Sequence, residues 1–338
     1  MPGPVIAYIS NADSREIVVA RLGADGALSE IERVKTSGAV MPLALSPDKR
    51  FLVAALRSEP FGASSYAIDR QTGRLKHIAT APLPASMAYI SVDGGGRFLL
   101  SASYPSAVVA VSAIDAEGRI GPSPVQKLPT APNAHCIVTD PRNRFAFVPC
   151  LGGDHVMQLR FDGITGRLMP NAPSEFQTAK GAGPRHIVFH PEGRFAYLVN
   201  ELDAGIIALA YDAEAGTLRE TARVSALPPG FSDKPWAADI HTTPDGNFLY
   251  ASERTSSTLA GFRIERGGAA LAPIGNWPTE TQPRGFAIDP SGRYLLSTGQ
   301  VSNSLTVHQI DAKSGALTAL KRYPMGANPN WVEIVALD

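Results

Sequence analysis

Only two of the 338 residues are cysteine, Cys136 and Cys150, and they lack the C-x-x-C spacing of a zinc or redox site. A metal centre, a redox pair and a disulfide framework are therefore not expected, and two free thiols in a reducing compartment fit better. No run of about 18 uninterrupted apolar residues occurs, which leaves no candidate membrane-spanning helix. The opening MPGPVIAYISNAD has no basic stretch followed by an apolar one, so a soluble, cytoplasmic protein is expected. Neither sign of charge is in excess: Lys and Arg total 31, Asp and Glu total 31, and there is no basic run or acidic tail. Nothing supplies a field for nucleic acid or an anionic membrane, and neither is expected as a partner. What the chain does have is glycine (31) and proline (28) against only 18% charged residues, a composition suited to many short strands joined by turns.

The strands repeat. A turn followed by an apolar strand recurs as SPDKRFLVAAL from Ser46, DGGGRFLLSAS from Asp93, DPRNRFAFVPC from Asp140, HPEGRFAYLVN from His190, TPDGNFLYASE from Thr243 and DPSGRYLLSTG from Asp289. The residue before its aromatic falls at Arg50, Arg97, Arg144, Arg194, Asn247 and Arg293, in steps of 47, 47, 50, 53 and 46. A second signal, a polar turn ending in Gly-x-Leu or a close variant, ends at Leu28, Leu75, Ile120, Leu168, Leu218, Leu271 and Leu317, which makes seven copies. Each unit reads as four strands joined by turns, the composition of a propeller blade. The expected fold is an all-β, seven-bladed β-propeller occupying 1–338 as one domain. The first unit lacks the turn-Arg-aromatic signal while the tail GANPNWVEIVAL resembles an inner strand, so the ring is expected to close by pairing the C-terminal strand with the N-terminal ones.

Aligning the copies exposes the positions that break the repeat. At the start of the inner strand the copies carry Met41, Ala88, His135, Arg185, Ala238 and Arg284; at the end of the paired strand they carry Arg57, Tyr104, Leu151, Glu201, Arg254 and Gln300. These two slots face each other across an antiparallel hairpin and open onto one end of the central channel. Guanidinium forks beside a carboxylate and an imidazole suit an anionic substrate. Glu201, Asp239 and His135 are candidate acids or bases, and Arg185 or Arg284 candidates to stabilise an oxyanion. Asn133, Asn200 and Gln282 add hydroxyl-binding groups near the mouth, and Arg254 and His241 flank it. Asp239 is as readily a strand-end acceptor for backbone N–H groups, and His186 reads as an inter-blade packing residue. Trp236 and Trp331 lie beside the mouth and read either as sugar platforms or, more often for such residues, as core or lid packing, and Met41 and Tyr104 read as lining wall. The repeating turn arginines are framework. No phosphate loop, zinc-protease helix, calcium loop or serine-hydrolase elbow is present, and no cofactor or metal is expected.

The runs GPRHIVFHPEGRFAYLVNEL (183–202), FSDKPWAADIHTTPDGNFLYASERT (231–255) and PTETQPRGFAIDPSGRYLLSTGQ (278–300) closely resemble the propeller-type bacterial 6-phosphogluconolactonases, related to fungal carboxy-muconate lactonizing enzymes. The resemblance spans essentially the whole chain. It implies a functional set of His135, Arg185, Glu201 and Arg284, with Asp239, His241 and Arg254 in matching motifs. It also implies hydrolysis of a sugar lactone, 6-phosphoglucono-1,5-lactone first, by a monomer or weak homo-oligomer. Departures fall in the first two repeats: Met41 stands where relatives tend to show Gln before Pro, Tyr89 where His is often seen, and SYPS (103–106) where an Asn-bearing turn is usual. They leave open an unphosphorylated aldonolactone. A muconate-type cycloisomerase and a non-enzymatic scaffold are the other readings; the polar channel mouth argues against the scaffold.

Overall fold

The computed structural model describes residues 3–337, in which 28 strands form seven four-stranded antiparallel sheets arranged as a ring. Blades 2 to 7 run in chain order over residues 40–82, 89–129, 138–177, 184–225, 237–278 and 283–324. Blade 1 is composite: the strands Val5–Asn11, Glu16–Leu22 and Leu28–Lys35 take Pro329–Ala336 as their inner strand. That last strand pairs antiparallel with the first, Val5 opposite Ala336 through Ser10 opposite Trp331. The expected propeller and its closure by the tail are therefore what the chain forms.

Seven apolar clusters hold the ring together, one between each pair of adjacent blades. The two sequence signals meet at these seams. The Gly of one blade's Gly-x-Leu turn packs onto the aromatic of the preceding blade's turn-Arg-aromatic signal. A Cβ on Gly118 would fall 2.5 Å from Phe51 Cδ1, and Gly118 also sits at φ +82, so only glycine serves there. Gly26 repeats the contact on Tyr294 and joins blade 1 to blade 7. In blade 1, which lacks the aromatic, Ile6 receives Gly73 instead. Arg50 lies 4.7 Å over the ring of Phe51 and Arg293 5.3 Å over Tyr294, so the repeating arginines cover the seam aromatics.

The inner strands are less regular than the repeat suggests. Their ladders slip between Val40 and Leu43, Pro184 and His186, Ala237 and Ile240, and Pro283 and Phe286. In blade 4 only Val138–Thr139 is regular strand, and His135 lies ahead of it next to the isolated bridge Ala134–Cys150. A β-bulge leaves one residue without a ladder partner and re-aims its side chain. The slips fall on the inner-strand slots.

Candidate active site at the channel mouth

The channel end bearing the slot residues holds a cavity of about 250 Å³, lined by Arg57, Ala88, Tyr104, His135, Glu201, Trp236, Arg254 and Arg284. All but Trp236 are slot residues. A second hollow of about 470 Å³ adjoins it, sharing Glu201 and Trp236 and adding Leu202, Lys234, Pro235 and Thr255. Arg185 is the bulged residue of its inner strand and is fully buried behind the wall.

One carboxylate organises the arginines. Glu201 Oε2 accepts from Arg185 Nε and from Arg254 Nη2, each at 2.8 Å, and Oε1 accepts from the Trp236 indole N–H at 3.2 Å. Arg185 Nη1 donates to the Ala238 carbonyl and lies 3.1 Å from His186 Nε2, while Nη2 is buried with no protein partner. Arg254 also donates to the carbonyls of Trp236 and Ala237, at 3.0 and 3.1 Å, and its guanidinium stacks 3.8 Å over the Trp236 ring. Arg284 Nε is buried without a partner. Burial disfavours the Glu201 charge, but Arg185 and Arg254 outweigh it and hold the carboxyl below its usual range. Burial and repulsion from Arg185 push Arg254 down to about 9. Burial and then Arg185, Arg254 and Arg57 push Arg284 well below its ordinary value. The wall is short of negative charge.

His135 is the basic group left free. Its side chain has no hydrogen bond to any described residue, and Nδ1 is sealed from solvent, so Nε2 is the nitrogen able to meet a ligand. Burial, then Arg185, His186 and Arg284, hold its pKa well below 6.5, so the ring is neutral at pH 7. Deeper in the channel, His186 and His241 contact the two oxygens of Asp239 at 2.8 and 3.2 Å, and the Ile240 and Phe286 amides donate to them. His186 packs 5.1 Å from His135 and 5.0 Å from Tyr89, and burial brings it down to about 3. Among the described residues no group of three or more His, Cys, Asp or Glu is arranged to hold a metal ion.

The family described as "Lactonase, 7-bladed beta-propeller" matches residues 5–334. The chain belongs to this family. It is 45% identical over 333 residues to the 6-phosphogluconolactonase of Pectobacterium atrosepticum, covering 98% of this chain and 99% of that one. It is 41% identical to the 6-phosphogluconolactonase of Serratia proteamaculans over 331 residues, 98% of this chain and 99% of the other. Among solved structures it resembles the periplasmic gluconolactonase of Pseudomonas aeruginosa, with a TM-score of 0.91 at 29% identity over 99% of this chain and 100% of that one.

Of the residues singled out in the lactonase sequence, the structure brings His135, Glu201, Arg254 and Arg284 onto one cavity with Arg185 behind them. It does not bring Asn133, Asn200, Gln282 or His241 there. Asn133 and Gln282 occupy left-handed turns, at φ +61 and +55, and the Asn133 amide donates to the Tyr104 carbonyl. Asn200 is fully buried, its amide 3.5 Å from Asp203. Asp239 is the strand-end acceptor of the two readings offered, with His241 as one of its partners. Trp331 is packed against Tyr89 and His186, whereas Trp236 is more than a packing residue, since it lines the cavity and bonds Glu201. Two features escaped the sequence. Arg57 was visible as a slot residue but not singled out. The seventh inner slot is Asn330, supplied by the tail, where the Pro-x-Trp run matches the Pro-Arg steps at 184 and 283.

Proposed function

We propose that this cavity opens a sugar lactone to its aldonate, with 6-phosphoglucono-1,5-lactone as the first candidate substrate. The carrying observation is a neutral His135 beside four guanidinium groups, of which two share the one carboxylate and two have none. Water attacks the lactone carbonyl carbon and passes a proton to His135 Nε2. The tetrahedral oxyanion is met by Arg284, which lines the cavity, while Arg185 holds Glu201 from behind the wall. The bond from the carbonyl carbon to the ring oxygen then breaks and the ring oxygen takes the proton back, leaving a hydroxyl and a carboxylic acid, which releases its own proton to solvent and becomes the carboxylate. Glu201, ionised and bonded at both oxygens, fixes the arginines and is poorly suited to be the base. Asp239 is saturated by its histidines. All lining groups come from one chain, and the buried free thiols of Cys136 and Cys150 suit a reducing cytoplasm.

The test is acid release from 6-phosphoglucono-1,5-lactone, glucono-1,5-lactone and other aldonolactones, followed by pH-stat with His135→Gln and Arg284→Met beside the wild type. Catalysed opening that the variants lose supports the proposal. No rate above spontaneous opening on any lactone overturns it.

A further inference from the structure

Resting on the lactonase reading, we infer that Arg57 is the specificity-determining residue that holds an anionic group at the end of the substrate far from the reacting carbonyl, and so sets the preference for a phosphorylated over an unphosphorylated lactone.

The argument begins with unmatched charge. Arg57 lines the cavity, half-buried, yet no carboxylate among the described residues pairs with it. Its Nε donates to Ser86 Oγ at 3.1 Å and its Nη1 points at the Met41 thioether, also at 3.1 Å. Sulfur is a weak acceptor, so the Met41 that departs from the family pattern leaves this guanidinium under-engaged rather than disabled. Arg185 and Arg254 share Glu201, whereas Arg57 and Arg284 have no acid. Four guanidiniums against one carboxylate give the mouth a formal charge of +3. An uncharged lactone leaves all of it unmatched. A phosphate monoester brings close to −2 at neutral pH, and the oxyanion formed during reaction brings one more.

Position around the ring separates the two tasks. His135, Arg185 with Glu201, Arg254 and Arg284 come from blades 4, 5, 6 and 7 in succession, the arc where the reaction is placed. Tyr104, from blade 3, packs 5.7 Å from His135 and belongs to that arc, whereas Arg57 comes from blade 2. In a seven-membered ring, blade 2 lies across the channel from blades 5 and 6, so a ligand whose carbonyl meets the Glu201–Arg254 side turns its other end to Arg57. The rival cation is Lys234, in the adjoining hollow. It is exposed, and a solvated ammonium is screened and adds little.

The deciding experiment compares kcat/KM on 6-phosphoglucono-1,5-lactone and glucono-1,5-lactone for the wild type, Arg57→Gln, Arg57→Lys and Lys234→Ala, with inorganic phosphate as inhibitor. The wild type is expected to prefer the phosphorylated lactone. Arg57→Gln should cut that preference about 30-fold or more, chiefly through KM, as expected for losing one partner of a desolvated ion pair. It should also blunt inhibition by phosphate, while Arg57→Lys recovers part of both and Lys234→Ala keeps the wild-type preference. Residual turnover of the unphosphorylated lactone reports that the variant is folded. Equal loss on both lactones, equal wild-type use of both, or transfer of the effect to Lys234→Ala overturns the assignment and leaves the lactonase reading standing. Failure of the wild type to open either overturns both.

Discussion

Replacing Glu201 by glutamine separates an organiser of arginines from a catalytic base. The carboxylate is almost wholly buried, and one oxygen carries both Arg185 and Arg254 at 2.8 Å. Glutamine keeps an amide oxygen for one guanidinium but no charge for either. Removing one partner of a buried ion pair costs about 3–5 kcal/mol, and because the carbonyls of Trp236, Ala237 and Ala238 still hold the arginines, about 3 kcal/mol is expected here. An unfolding entropy near 2.1 cal/mol/K per residue gives a 338-residue ring unfolding as one unit about 0.7 kcal/mol/K, so Tm should drop by about 4 °C. Scanning calorimetry at pH 7, beside lactone turnover, checks it. KM should rise as well as kcat fall, because the arginines lose their aim. A Tm within about 1 °C of wild type, with kcat alone reduced, would refute the organiser role and make Glu201 the base.

Three further outcomes follow from the same geometry. His135→Gln should lower kcat by about 10²–10⁴-fold; in the wild type the acid limb of kcat/KM should lie below pH 6.5, and Arg284→Met, which removes one of the repelling charges, should move that limb upward. His308, buried and with Thr279 as its ring's only hydrogen-bond partner among the described residues, is held down to about 4 by burial. The unfolded chain therefore binds its proton near pH 6.5 and the folded one only near 4, so wild-type stability falls as pH drops through that window. Urea denaturation should show His308→Gln losing about 1.4 kcal/mol per pH unit less than wild type between pH 6 and 4.5. Deleting residues 329–338 should abolish the cooperative melt, since it uncovers the Val5–Asn11 edge and opens the ring, as circular dichroism on heating would reveal.

The propeller was legible because a turn glycine recurs at every seam and its aromatic partner at six of the seven: a glycine that must touch an aromatic cannot drift in either partner. The slot residues were legible for the complementary reason, that Arg185, Glu201 and Arg284 interrupt a pattern otherwise kept. The bulges that re-aim those residues were not, since slipping a ladder by one residue leaves no compositional trace. The bond from Trp236 to Glu201 was not legible, although the residue was placed beside the mouth, because it sits on an irregular loop outside the repeat. Asn133 and Gln282 misled because amide side chains at strand ends serve left-handed turns as readily as ligands. The sharing of one Glu201 oxygen by arginines of two blades is a contact between repeats, which alignment of the repeats on one another cannot show.

Blade 1 is assembled from strands far apart along the chain, and this sets an order of events during synthesis. The strand Val5–Asn11 leaves the ribosome well before its inner partner Pro329–Ala336. At about 5–20 residues per second, the roughly 320 residues between them take about 15–60 s to make. Throughout that interval a strand whose Ile6, Ala7, Tyr8 and Ile9 are wholly buried in the finished ring waits with one edge bare. The nascent chain is thus long exposed to mispairing at this strand, and chaperones have a correspondingly long task there.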